Sequence, residues 1–288
     1  MELCGSMTRV PILPIAATWL ALSACGASSS SNSSDSCSAT PITPSNACTG
    51  LFGLPNEKTG LGTGCCQPSI SCNGTNWTAP PYDAAFIASL VSDWTLETPY
   101  PPLTTDPYAL PAPPDDPFET VCGVLPTGAT ATPRTYRLVT YGTEKAARDA
   151  GASPTHFGHC GVCSTLENLA VYMRENDLTA PVRDCGISSA TFDANVACLR
   201  KLGFDLPCAQ VWAYNTAHTR SVCYDVCIAA LCAPYHLPDG RLNDCILCDE
   251  EKSGAVFKAV AGRTRRNSGL PNALCRPCSE VRPLVHDY

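Results

Sequence analysis

The sequence predicts a mainly α, disulfide-rich extracytoplasmic protein with an irregular Pro/Cys-rich N-terminal region. Three observations predict it. The chain has 288 residues and 20 cysteines, a density closer to disulfide scaffolds than to proteins of glutathione-buffered compartments. Arg9 precedes an apolar run, Val10 to Ala24, that ends in small residues, which is the layout of an export signal. Beyond residue 142 the apolar positions recur at helical spacing.

The apolar run is shorter than the ~20 residues a membrane-spanning helix needs. Leu22-Ser23-Ala24-Cys25 resembles the bacterial lipobox. That resemblance implies a signal segment over residues 1–25, a lipid on Cys25 and a membrane as partner. Residues 26–47 then form a Ser-rich tether. The alternative is a eukaryotic secretory signal. Asn32, Asn73 and Asn76 would then be glycosylation acceptors. Both routes lead out of the cytoplasm. Setting Cys4 and Cys25 aside leaves 18 cysteines, an even number suited to a disulfide framework whose connectivity cannot be read from spacing. The net charge of −7 comes from interspersed acids and bases, which argues against a nucleic-acid partner.

Composition shifts near residue 142. Eighteen of the 26 prolines precede it, and all five histidines and twelve cysteines follow it. Residues 48–142 are therefore read as a Pro/Cys-rich irregular region with one helix, over 83–96. Asp83 would cap that helix, and Phe86, Ile87, Leu90, Val91 and Trp94 would share a face. The proline run at 98–118 reads as a covering loop or strap. Residues 134–141 read as a strand.

Residues 143–288 are read as an α-rich, cystine-stabilised domain. Thr143 and Gly151 bracket one helix. Ser164 and Glu167 form a capping box for the next. Phe192, Val196 and Leu199 line a third that stops at Gly203. "PCAQVWAYN" and "TRSVCYDVCIAALC" read as two further helices, and "SGAVFKAVAG" as a last one. Asp249, Glu250 and Glu251 are placed in an acidic first turn.

The stretch "THFGHCGVCST" concentrates the candidate chemistry. Cys163 would stand at a helix N-terminus, where the dipole favours a thiolate, with His159 nearby. "GHCGVCS" resembles the papain-like protease motif. The resemblance implies a bridged Cys160, a nucleophilic Cys163 and a downstream histidine base such as His218. It spans seven residues, and Phe157 stands where that family keeps its oxyanion-hole glutamine. Exchange between Cys160 and Cys163 is a related reading. Cys245, Cys248, Cys275 and Cys278 form two CxxC pairs with zinc-ligand spacing. In an oxidising compartment the same cysteines serve as cystines, and no cofactor other than zinc is expected. Cys223 and Cys227, at i and i+4, would pin a helix to its neighbours. The basic cluster Arg263, Arg265 and Arg266 can bind an anion or be a processing site, but is expected to be a solvated loop.

The functional expectation is a binding or surface-interaction protein with a protein or small-molecule ligand. The alternatives are a cysteine-dependent enzyme centred on Cys160 and Cys163, and a zinc-binding protein.

Overall fold

The computed structural model describes residue 48 and residues 50–72, 75–111, 119–128 and 132–288. Cys25, Asn32, Asn73 and the tether lie outside them. Residues 38–288 form one compact unit.

The elements run as follows. Strands β1 (Leu51–Phe52), β2 (Cys66–Gln67), β3 (Ser69–Cys72) and β4 (Thr75–Thr78) come first. Helix α1 (Ala84–Ser92) precedes β5 (Trp94–Leu96), β6 (Val121–Pro126) and β7 (Arg134–Tyr141). Helix α2 (Glu144–Asp149) and β8 (Ser153–Phe157) follow. The chain then turns helical through α3 (Leu166–Arg174), α4 (Thr179–Ser188), α5 (Phe192–Lys201), α6 (Leu206–Ala229), α7 (Asp244–Lys252) and α8 (Gly254–Ala261). A short strand β9 (Arg276–Pro277) closes the order.

The fold is thus mixed helix and strand, which corrects the mainly α expectation. A four-stranded sheet runs β5-β7-β6-β8. Its strands β6 and β8 were hidden in the sequence. β6, "VCGVLP", is buried on both faces and shows no alternation. β8 contains a proline. β7 carries the expected residues 134–141, and it pairs in parallel with β5. β5 takes Trp94 out of the expected helix, because α1 already ends at Ser92. Trp94 packs edge-on against Tyr136 at 6.0 Å, so burial against the sheet outweighs helical spacing there. β1 pairs with both β2 and β9, joining the two ends of the described chain.

The helix caps follow local chemistry. Asp83, Thr143, Thr191, Asp205 and Asn243 each accept a backbone N–H with the side chain. The expected cap of α3 moves by one residue. Thr165, not Ser164, accepts from Asn168 N at 3.2 Å. Ser164 is engaged elsewhere: its Oγ accepts from Gly161 N at 2.8 Å and lies 2.7 Å from His156 Nε2. The two helices expected across 206–232 are one, α6, whose 24 residues span roughly 36 Å. No glycine or proline breaks it after Pro207. The polar residues midway are satisfied in place: Thr216 Oγ1 donates back to Trp212 O at 3.0 Å. The acidic triplet 249–251 falls in the last turns of α7 rather than the first.

One large core joins the sheet to the helices through Leu90, Val124, Tyr136, Leu166, Leu199 and Phe204. The bridges Cys163–Cys208, Cys185–Cys198, Cys223–Cys248 and Cys227–Cys245 tie helix to helix or helix to loop. Cys66–Cys275 and Cys122–Cys160 fasten strands. Cys232 and Cys278 are disulfide-bonded as well. Cys48 and Cys65 are buried thiols side by side, and burial together with their mutual contact pushes Cys48 up to about 12. This is the cystine density of an oxidising, extracytoplasmic environment. Among the described residues no helix is long and apolar enough to cross a membrane.

A second, polar centre sits beside the core. Arg263 is fully buried and donates to Thr155 O at 2.8 Å, Thr155 Oγ1 at 2.6 Å, Ser164 O at 3.0 Å, Cys163 O at 3.1 Å and Ser268 Oγ at 3.3 Å. His156 and His286 flank it. Burial first, and the Arg263 charge second, hold His286 down to about 3 and His156 well below its usual range. Both rings are neutral in the fold, while an unfolded histidine takes up a proton near pH 6.5. The unfolded state therefore binds more protons below that pH, and stability falls as pH drops from about 6.5 towards 3. At pH 5 His286 alone accounts for roughly 2 kcal/mol of that loss. Denaturation midpoints at pH 7.5 and 5 check this. His286→Gln loses less than the wild type between the two; equal losses contradict the assignment.

Candidate functional site

The expected thiol centre is not a free thiol in this fold. Cys163 does precede the α3 N-terminus, but its sulfur is bonded to Cys208 in the first turn of α6. Cys160 is bonded to Cys122 on β6. The motif therefore staples the entry of α3 to α6 and to the sheet. His159 Nε2 donates to Ala259 O. His218 sits on α6 ten residues beyond Cys208, which places their backbones roughly 15 Å apart. It bonds Ser253 Oγ at 2.9 Å and stacks on Tyr108 at 4.2 Å. So the structure does not bring Cys163 and His218 together.

The two CxxC pairs are also separated by their bridges. Cys245 and Cys248 pair with Cys227 and Cys223 on α6, so the i, i+4 pair pins α7 as expected. Cys275 pairs with Cys66, and Cys278 is bridged too. Among the described residues no cluster of His, Cys, Asp and Glu is arranged to hold a metal. Asn76 lies exposed on β4 opposite Ser71.

A different site emerges from the helices. α4, α6, α7 and α8 splay around a groove of about 520 Å³, closed on one side by residues 264–276. The bridges Cys223–Cys248 and Cys227–Cys245 fix α7 against the C-terminal half of α6 beside it. Its rim is apolar: Ile187, Tyr224, Ile228 and Leu231 remain 61%, 57%, 49% and 40% exposed. The strap at residues 103–109 lies against α6, with Leu103 and Gln210 exchanging two hydrogen bonds. Tyr108 donates to Asn215 Oδ1 at 2.6 Å there. This agrees with the covering role expected of the proline run; residues 112–118 lie outside the described chain.

The walls contain two carboxylates, both engaged. Asp249 accepts from Thr219 Oγ1 and from Asn215 Nδ2, and burial raises its carboxyl. Burial alone would also raise Glu250. Arg276 and Arg266 outweigh it, at 2.5 Å each, and hold the carboxyl below its usual range. Arg266 reaches Glu280 as well, at 2.8 Å.

Arg265 is treated differently. It is 6% exposed and lines the groove, with its guanidinium 5.6 Å above the Tyr172 ring. Burial lowers it to about 10, so it stays charged at neutral pH. Nη1 donates to Pro271 O at 3.1 Å, while Nε and Nη2 have no hydrogen-bond partner. Tyr172 OH, Trp212 Nε1 and Asn272 Oδ1 are buried without partners too, and all three residues line the same groove. Burial pushes the Tyr172 hydroxyl up to about 12, against the pull of Arg263, Arg265 and the Trp212 indole beside it. Of seven buried unpartnered side-chain atoms among the described residues, five therefore belong to groove residues. Buried polar atoms are normally satisfied, and each exception costs about 1–3 kcal/mol.

The basic cluster 263–266 is thus no solvated loop, which corrects that expectation. Arg263 lies in the polar centre, Arg265 faces the groove and Arg266 is ion-paired. Sequence reasoning missed the groove because its floor and walls come from six separate segments. The one legible signal was the density of arginine beside a helix end.

A family model described as a family of unknown function (DUF8771) matches residues 192–283. The matched span runs from α5 past β9 and includes Trp212, Arg265 and Asn272, but not Tyr172 or α4. Comparison with curated proteins and with solved structures finds no match.

Proposed function

We propose that this chain is a non-enzymatic extracytoplasmic binding protein that takes a small-molecule ligand in the groove between α4, α6, α7 and α8. The segment ending at Cys25 would anchor or export it. The observation that carries the reading is the convergence of unpartnered buried polar atoms of Tyr172, Trp212, Arg265 and Asn272 on one groove. A concave site with an apolar lining and a few convergent polar groups is the usual form of a ligand pocket, and its volume falls in the range for drug-sized molecules. The bridged state of Cys160 and Cys163 favours binding over thiol chemistry.

A neutral apolar dye, N-phenyl-1-naphthylamine, tests this. It is expected to bind the folded chain saturably at one site with a blue-shifted emission. Ile228→Glu, at an exposed rim position, weakens that binding without altering the melting temperature. Absence of saturable dye binding, or identical binding by the rim variant, would contradict the reading.

A further inference from the structure

We infer that the ligand is a carboxylate amphiphile, with its head group on Arg265 and its apolar tail along the rim formed by α4 and the C-terminal half of α6. This rests on the binding reading above and names the ligand class.

The charge of the groove sets the head group. Six arginine and lysine side chains line it against two carboxylates, in a chain whose net charge is −7. Both carboxylates are already engaged, Glu250 by Arg266 and Arg276 and Asp249 by Thr219 and Asn215. Neither is bonded to Arg265; the charges of Asp177 and Glu175 reach it, but they make no hydrogen bond to its Nε or Nη2. A buried guanidinium with two empty donor positions calls for an anion, because desolvated charged donors without an acceptor are costly.

Geometry narrows the anion. Nη1 is taken by Pro271 O. The free atoms, Nε and Nη2, form one edge of the planar guanidinium. That edge presents two parallel N–H bonds, spaced to meet the two oxygens of one carboxylate. The Trp212 indole N–H and the Tyr172 hydroxyl add donors from the same floor. Donors outnumber the one unpartnered acceptor, Asn272 Oδ1. A cationic head would meet Arg265 directly, and a neutral head would leave its charge unpaired.

The rim sets the tail. Ile187, Tyr224, Ile228 and Leu231 expose apolar surface at the mouth. They give an alkyl or aromatic body a place to leave water. A small hydrophilic acid would satisfy the floor but leave this rim unused.

The test is displacement of N-phenyl-1-naphthylamine from the full chain at pH 7.5 by three ligands of equal chain length: decanoate, decanol and decyltrimethylammonium. Decanoate is expected to bind about 100-fold more tightly than decanol, the value of two charge-assisted hydrogen bonds. Decyltrimethylammonium is expected to be weakest. Arg265→Met brings decanoate to the level of decanol. Trp212→Phe, which keeps an aromatic ring but removes the N–H, provides a second reading if Arg265→Met does not fold; it weakens decanoate more than decanol. If the dye binds but decanol equals decanoate on the wild type, the carboxylate assignment is overturned while the groove stands. If the dye does not bind at all, the binding reading itself has failed.

Discussion

Replacing Arg263 with methionine is expected to destabilise the protein strongly and to loosen the region around β8 and the α3 entry. The side chain is fully buried and its guanidinium donates five hydrogen bonds to uncharged oxygens. Those oxygens belong to β8, the α3 entry and the turn at Ser268, so one residue joins three segments far apart in the chain. Methionine fills the space but leaves buried carbonyls of Thr155, Cys163 and Ser164 without donors. Each orphaned acceptor costs about 1–3 kcal/mol, and a loss of at least about 4 kcal/mol is expected for the set. Two disulfides at Cys160 and Cys163 hold the same region, and they limit the collapse to this part of the fold. Denaturant midpoints measure the effect. A loss under about 1 kcal/mol would mean that the polar centre does not organise the fold.

Arg265→Met is expected to do the opposite to the free protein. Two residues away in sequence, Arg265 makes one hydrogen bond where Arg263 makes five. Burial outweighs the help that Asp177 and Glu175 give its charge, so an apolar side chain of similar length relieves desolvation and the ligand-free melting temperature rises. The gain expected is on the order of 1–3 kcal/mol. The same change removes the carboxylate preference of the groove. A residue that lowers stability and raises ligand affinity is kept for binding. A lowered melting temperature with unchanged decanoate affinity would mark Arg265 as merely structural.

Local chemistry was legible where it acts within a few residues. Asp83, Thr143 and Gly203 marked helix ends that the structure retains, and residues 134–141 form the expected strand. The i, i+4 pair Cys223 and Cys227 pins α6 to α7 as its spacing implied. Long-range pairing was not legible. The run "VCGVLP" gains its strand identity only from β7 and β8 on either side. Ser164 was a good cap by local rules, but His156 and Gly161 took its hydroxyl in the folded chain. The Cys160–Cys163 motif read as chemistry because the partners, Cys122 and Cys208, lie 38 and 45 residues away. For the arginine cluster, sequence showed charge and not burial. Three neighbouring arginines meet three environments, and only the one with two unpartnered donor atoms points to a ligand.

The most direct measurement is a proton–nitrogen NMR titration of the folded chain with decanoate, following the Arg265 Nε–H and Trp212 Nε1–H resonances. Both are expected to move downfield and saturate together at one equivalent of decanoate, while decanol leaves the Arg265 Nε–H in place and does not saturate at that ratio. If decanoate binds and these two signals stay where they are, the ligand lies elsewhere and the groove account is wrong.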